Sequence, residues 1–139
     1  MSTCLICSII EGHIPAHKVY EDDDCLAFLD IHPTATGHTM LVPKTHVSRV
    51  EDLSPEETRV LFSALHKILA PIRDAVSADA TTVGINNGPG SGQEVPHVHI
   101  HILPRHRGDY GGIVQGLGPG GRADLTEIAE KIRKQIAAA

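Results

Sequence analysis

The sequence predicts an α+β fold in which helices pack on one side of an antiparallel sheet. Two observations lead to this prediction. Short segments with β-strand character follow one another through short loops, which favours antiparallel neighbours. A long amphipathic segment in the middle of the chain and a shorter one at its end have the start signals and the spacing of helices.

The first third of the chain contains a short helix and three strands. Residues 4–11 are predicted to form the helix, and Gly12 ends it. The strands are predicted at Lys18–Glu21, Cys25–Asp30 and Gly37–Pro43, and an acidic turn joins the first two. Cys25 lies in an apolar strand and is expected to be an inert core residue.

A long helix follows, and its start is strongly marked. Ser54 is expected to cap it, Pro55 takes the first helical position, and Glu57 completes a capping box. Pro71 is expected to kink or restart the helix. The spacing places these apolar side chains on one face: Leu61, Leu65, Ile68, Leu69 and Ile72.

The last third contains two more strands and a terminal helix. The strands are predicted at Thr81–Asn86 and Val95–Leu103, and residues 108–121 are expected to be a glycine-rich, mobile segment. A second capping box, from Asp124 to Glu127, opens the helix, with Leu125, Ile128, Ile132 and Ile136 facing inward. We therefore expect one domain over 1–107, with the 108–139 linker and helix packed on it.

Composition limits the class of protein. The chain has 139 residues and a net charge of −5, and no cluster of Lys and Arg stands out, which argues against a nucleic-acid polymer as partner. No apolar run is long enough to cross a membrane and no signal-peptide pattern is present, so a cytoplasmic protein is expected. Three cysteines in a reducing compartment suggest a metal or free thiols rather than disulfides.

Residues 97–103 alternate histidine with aliphatic residues and are the most informative run in the sequence. The period of two places Val98, Ile100 and Ile102 on one strand face and His97, His99 and His101 on the other. Neighbouring histidines start about 6.7 Å apart, so two of them can converge on one atom but three cannot. The three histidines are therefore expected to have different roles. The alternative is a polar strand face whose histidines are satisfied by hydrogen bonds and form no site.

Cys4 and Cys7 form a C-x2-C pair whose meaning is open on spacing alone. The pair is either two small buried residues or half of a closed tetrahedral zinc site with two histidines. A thioredoxin-type redox pair is disfavoured because no βα unit precedes it. His97 and His46 are candidates for the remaining ligands, but spacing does not distinguish His46 among ten histidines.

The loop Gly88–Gly92 has three glycines at alternate positions and leads into the histidine row. Glycines there leave backbone N–H groups able to curl around an anion, although a flexible hairpin turn is the simpler alternative. Beside His99 and His101, a phosphate site becomes the better interpretation. The loop is neither a P-loop nor a dinucleotide fingerprint, because it joins strand to strand.

The sequence resembles the histidine triad (HIT) family, in particular its prokaryotic, zinc-containing, Hint-like branch. Residues 97–103 match the motif His-φ-His-φ-His-φ-φ in full, where φ is apolar. The likeness extends in order over about residues 4 to 105, through Ile14-Pro15-Ala16, Val19–Asp22, Leu26–Ile31, Gly37–His46, Asn86, Gly92-Gln93 and Pro104-Arg105.

The resemblance implies a five-stranded antiparallel sheet, a homodimer that shares a larger sheet, and hydrolysis or transfer at the α-phosphate of a purine nucleotide conjugate such as a phosphoramidate or a dinucleoside polyphosphate. His99 would attack phosphorus to form a nucleotidyl-histidine, and His101 would contact the phosphate oxygens. The other nucleotide contacts would come from Leu5, Ile6, Phe28 and Ile31 at the base, Asp30 at the ribose, and Asn86, Gly92 and Gln93 at the phosphate. A structural zinc would lie on Cys4, Cys7, His46 and His97.

Two features depart from the family pattern. Glu94 stands where a serine or threonine is usual, and a carboxylate there would repel phosphate unless it turned outward. The tail from Gly108 does not match the tryptophan-bearing ending of the eukaryotic phosphoramidases. The leaving-group preference is therefore not carried over from the family. Two other classes also stay open: a metal-dependent hydrolase with His99 and His101 as ligands, and a nucleotide-binding regulator with little turnover.

Overall fold

The computed structural model describes residues 3–109 and 124–139 and has an α+β fold with one five-stranded sheet. Its helices are α1 (Leu5–Ile10), α2 (Pro55–Ala75) and α3 (Leu125–Ala138), and its strands are β1 (Lys18–Glu21), β2 (Cys25–Leu29), β3 (Thr39–Pro43), β4 (Ala80–Gly84) and β5 (Ile100–Arg105). Short 3-10 turns cover Val50–Asp52 and Pro89–Ser91. The expected five-stranded antiparallel sheet with a long central helix is confirmed.

Every neighbouring pair of strands is antiparallel, and the order is β1-β2-β3-β5-β4. Strand β5 therefore lies between β3 and β4. Its His101 pairs with Met40 of β3 and with Gly84 of β4. This position places His101, the last histidine of the row, between β3 and β4.

The capping box of α2 forms as predicted. The Ser54 hydroxyl accepts from the Glu57 N–H at 3.0 Å, and the Glu57 carboxylate accepts from the Ser54 N–H at 2.7 Å. The helix then runs through Pro71 without restarting, so the restart predicted there is wrong. Pro71 is buried beside Ile68 and Ile72, and this packing holds the last turn although proline removes one helical hydrogen bond.

The sheet is covered on both faces, which differs from the expectation of helices on one side. Helices α2 and α3 pack on the face that carries Ala27, Leu41 and Ile100. The short helix α1 packs on the other face, against Leu26, Phe28 and Val42. Strand β2 is buried at all five positions, so its second face needs this cover.

The histidine run starts outside the sheet. A strand was expected over Val95–Leu103, but β5 begins at Ile100 and a bend precedes it. Pro96 cannot donate to a ladder, and the His97 N–H bonds to the Val95 carbonyl at 2.8 Å instead. The alternation persists nonetheless, because Val98, Ile100 and Ile102 all lie in the core.

The C-terminal helix belongs to the same core. The Asp124 carboxylate accepts from the N–H groups of Thr126 and Glu127, and Ile128 and Ile132 pack with α2. The glycine-rich segment expected at 108–121 lies outside the described residues from 110 onward. None of the described helices is both long and apolar enough to cross a membrane.

Candidate active site and metal centre

The fold brings together the four side chains named as zinc ligands. Cys4 and Cys7 come from the start of α1, His46 follows β3, and His97 precedes β5. We call these four residues the ligand cluster. Nδ1 of His97 lies 3.6 Å from Sγ of Cys4 and 3.5 Å from Sγ of Cys7, and Nδ1 of His46 lies 3.2 Å from both Cys7 Sγ and His97 Nδ1.

These distances fit a tetrahedral zinc site. Zinc bonds of about 2.0–2.1 Å to nitrogen and about 2.3 Å to sulfur give tetrahedron edges of about 3.3 Å between nitrogens and about 3.5 Å between nitrogen and sulfur. The tautomer also fits, because His97 Nε2–H donates to the Pro43 carbonyl at 2.8 Å and leaves the Nδ1 lone pair facing the cysteines. Burial lowers the pKa of His97, which keeps the imidazole neutral, as a ligand must be.

His99 is held in the tautomer that a nucleophile requires. Its Nδ1–H donates to the backbone carbonyl of His97 at 2.7 Å, as expected for a ring whose other nitrogen attacks phosphorus. The Nε2 lone pair is therefore free. The side chain is only 7% exposed, and its ring lies edge-on to that of His101, with centroids 5.0 Å apart.

The structure adds a fifth histidine, His38, that sequence reasoning did not assign to the site. His38 is 3% exposed, and its Nδ1 accepts from the Thr34 N–H at 3.1 Å. The proton of neutral His38 must then lie on Nε2, which donates to His101 Nδ1 at 2.9 Å. A signal was available: in a strand over 37–43 the period of two places His38 on the same face as Met40, the partner of His101.

The hydrogen bonds from Thr34 to His38 and from His38 to His101 also fix the position of the His101 proton. Because Nδ1 of His101 accepts, its Nε2 carries the hydrogen, and this buried N–H finds no partner among the described residues. Burial, with His38 and His99 nearby, lowers the pKa of His101 to about 4. His101 is thus a neutral hydrogen-bond donor at neutral pH.

Asp30, His38 and His101 also lie close enough to be considered as a second metal cluster. The hydrogen bonds disfavour that assignment. A metal on His38 Nε2 would require the proton on Nδ1, where it would face the Thr34 N–H. Asp30, which is 3.7 Å from His38 Nε2, uses its other oxygen to accept from the His32 N–H. The arrangement therefore favours a hydrogen-bonded chain over metal ligation by His101.

The glycine loop is tightly braced at its base. Gly88 and Gly92 both have positive φ, at 98° and 100°, which only glycine adopts without strain. Gln93 accepts from the Gly88 N–H at 2.7 Å and donates to the carbonyls of Ser48 and Val95 at 2.8 and 3.0 Å. Its amide thus supports the loop, and the phosphate contact expected of Gln93 stays a prediction.

Among the described residues, Asn86 is the other buried side chain with a donor that has no partner. Its Nδ2 is buried and has no hydrogen-bond partner among the described residues. Asn86 follows Gly84, the β4 residue that pairs with His101, by two residues. Unpaired buried donors are rare, and two of them beside one histidine row indicate a site for an acceptor-rich ligand.

The apolar residues expected at the base divide into two groups. Leu5 and Ile31 are 50% and 64% exposed, so both offer surface to a ligand. Ile6 and Phe28 are each 2% exposed and belong to the core under α1, where they can only support a base slot from behind. Glu94 is exposed, and the outward direction expected of its carboxylate stays a prediction.

Comparison with known proteins gives a consistent result. The chain is 41% identical over 130 residues to the uncharacterized HIT-like protein MJ0866 of Methanocaldococcus jannaschii, covering 94% of this chain and 98% of that protein. It is 33% identical over 135 residues to the adenosine 5'-monophosphoramidase hnt1 of Schizosaccharomyces pombe, covering 96% and 98%.

A solved structure of similar shape is the Zn-bound histidine triad family protein from Mycobacterium smegmatis, with a TM-score of 0.86, 32% identity, and coverage of 98% of this chain and 94% of that one. The family model of the HIT domain matches residues 11–108. With this match over most of its length and these relatives, the chain belongs to the HIT domain family.

Proposed function

We propose that this protein hydrolyses or transfers the nucleotidyl group of a purine nucleotide conjugate through a covalent intermediate on His99. The observation that carries the proposal is the pattern of hydrogen bonds around His99, His101 and Asn86. His99 presents a lone pair on Nε2, while His101 Nε2–H and Asn86 Nδ2 are buried donors without partners. A nucleophile beside two unpaired donors suits an electrophilic phosphorus with anionic oxygens.

The reaction has two steps. The Nε2 lone pair of His99 forms a bond to the α-phosphorus while the bond to the leaving group breaks, and the leaving atom takes the electron pair and a proton from water. The His97 carbonyl stabilises the imidazolium through the Nδ1–H. A water oxygen then bonds to phosphorus, releases its proton to solvent, and returns the nitrogen–phosphorus electron pair to Nε2.

His101 acts in this scheme as a donor to charge rather than as an acid. Its pKa is lowered to about 4, so at neutral pH His101 stays uncharged and keeps its Nε2–H. The bond from His38 holds that N–H in place before substrate arrives, so little reorganisation is needed as negative charge grows on the phosphate oxygens.

The relatives support a nucleoside monophosphate conjugate as substrate. The Schizosaccharomyces relative is named for cleavage of adenosine 5'-monophosphoramidate, and it aligns over nearly the whole chain. We propose AMP conjugates for this protein on that basis, with the base against Leu5 and Ile31 and the ribose hydroxyls on Asp30. The exposed Glu94 leaves open which leaving group is preferred.

We also propose that the ligand cluster binds one zinc ion. Its donor set of two thiolates and two imidazoles and its distances suit zinc, and the similar mycobacterial structure is Zn-bound. Zinc bound there would cross-link α1, the end of β3 and the start of β5. Four protein ligands complete its coordination, so the ion would stabilise the fold and would have no open position for substrate.

The test is a substrate panel on the wild type and on His99→Ala. The panel contains adenosine phosphoramidates, dinucleoside polyphosphates and nucleotide sugars. Rapid quench and mass spectrometry of the wild type should show a nucleotidyl adduct on the His99 peptide. His99→Ala should lose several orders of magnitude in rate while it still binds AMP. Near-normal turnover in His99→Ala, or an adduct on His101, would overturn the assignment.

A further inference from the structure

We propose that the ligand cluster positions the nucleophile, so that metal binding by Cys4, Cys7 and His46 controls the orientation of His99 through one shared residue, His97. The inference rests on the proposed zinc site and nucleophile. It assigns Cys4, Cys7 and His46 the role of positioning residues for the reaction, in addition to their structural role.

His97 takes part in both sites with different atoms. Its side chain contributes Nδ1 to the ligand cluster, at 3.2–3.6 Å from three other ligand atoms. Its main-chain carbonyl accepts the Nδ1–H of His99 at 2.7 Å. One residue thus joins the coordination shell directly to the bond that fixes the His99 tautomer.

The segment between these two contacts has little freedom. His97 is fully buried, and its ring is fixed at the other end by the Pro43 carbonyl. The next residue, Val98, donates its N–H to the carbonyl of Val47 at 2.8 Å, and Val47 directly follows the ligand His46. Movement of His46 or of the His97 ring therefore moves the carbonyl that holds His99.

A metal bound by the cluster would add to its rigidity. Neutral thiols are weak donors and acceptors, so contacts of 3.2–3.6 Å between thiol and imidazole groups hold little by themselves. Helix α1 has only six residues, and His46 is exposed on a loop. With metal bound, these elements are fixed against His97. Without it, the His97 carbonyl can withdraw and His99 can exchange its ring proton between Nδ1 and Nε2.

The experiment reads the His99 tautomer directly. Protein with ¹⁵N-labelled histidine is compared, at one fixed pH, in the zinc-loaded form and after chelation, by two-bond ¹H–¹⁵N correlation; His99→Asn identifies the His99 signals. The loaded protein should show a single Nδ1–H tautomer, and the metal-free protein a mixture. His99 unchanged on removal of zinc, in protein whose circular dichroism shows it folded, would overturn the coupling.

Variants supply a second measurement. His46→Ala removes an exposed ligand with little loss of packing, and should lower kcat by roughly 10- to 100-fold with AMP affinity within about threefold of wild type. His46→Cys keeps a metal ligand and should restore both zinc and the tautomer. His66→Ala, an exposed histidine on α2, is the matched control and should change neither.

Elemental analysis separates the two possible failures. Zinc near zero in protein purified without chelator overturns the metal site, and with it the coupling. Zinc at one per chain with an unchanged His99 tautomer and unchanged kcat after its removal overturns the coupling alone.

Discussion

Nε2 of His38 lies 2.9 Å from Nδ1 of His101, although the two residues are 63 positions apart in the chain. The backbone N–H of Thr34 determines the tautomer of His38, and His38 in turn determines that of His101. A single amide group thus sets the direction of the unpaired N–H that faces the proposed phosphate site.

Replacing His38 with leucine should slow turnover without abolishing it. Leucine removes the donor to His101 Nδ1, so the His101 proton can move to Nδ1 and the donor toward the phosphate is lost. We expect kcat to fall by roughly 10²- to 10³-fold, the loss typical of one donor to a developing oxyanion. Steady-state kinetics on an AMP phosphoramidate measure this, with His38→Gln as a variant that keeps a side-chain donor. Rates close to wild type in His38→Leu would contradict the role.

Acidification should destabilise the fold through His101. The pKa of His101 is lowered from 6.5 to about 4, so between these values the unfolded chain binds a proton that the folded chain excludes. The free energy of unfolding is fully retained above this range and decreases as the pH falls through it. The whole shift corresponds to about 3 kcal/mol.

Urea unfolding of the wild type and of His101→Gln isolates this effect, because glutamine does not titrate. The wild type should lose stability relative to the variant as the pH is lowered. The burial-lowered pKa of His38 acts in the same direction in both proteins. A difference between the two proteins that is independent of pH would contradict the prediction.

Zinc removal should be costly for stability. We expect one zinc per chain, bound by Cys4, Cys7, His46 and His97, and a stabilisation of about 3 kcal/mol when free zinc exceeds its Kd about a hundredfold. Cys7→Ser should lose the metal and that stabilisation, as measured by elemental analysis and thermal unfolding. Cys25→Ala is the control, since Cys25 is buried in the core away from the cluster and its replacement should leave zinc in place.

We propose that the protein forms a homodimer through β4, which is an edge strand of the sheet formed by the described residues. Strand β4 is at one end of the sheet. Its residue Val83 pairs with Ile102 of β5, and the Ile102 side chain lies on the face of the sheet that α2 covers. Val83 of this edge strand is an apolar residue and is 41% exposed.

Val83→Lys should shift the protein from dimer to monomer in light scattering at micromolar concentration. Ile14→Lys changes an equally exposed apolar residue elsewhere and should leave the mass unchanged. A monomeric wild type would show that another surface, or none, is used.

Short stretches of sequence were sufficient to predict the features that depend only on residues close together in the chain. The capping box of Ser54 and Glu57 involves residues three apart, and it forms as predicted. The alternation of Val98, Ile100 and Ile102 depends only on the period of a strand, and it survives although the strand begins later than expected. The two cysteines of the ligand cluster could also be predicted as a pair, because Cys4 and Cys7 lie one helical turn apart.

What the sequence by itself determined, then, was the set of helices and strands, the face of the histidine row and the pair of cysteines. Tertiary structure decided which of ten histidines joined them. His46 meets Cys7 across 39 residues, His97 meets Cys4 across 93, and His38 reaches His101 across 63. It also placed α1 on the far face of the sheet and moved His97 out of β5. These outcomes depend on strand order and register, which arise from burying both faces of the sheet at once and are not determined by any short stretch of sequence alone.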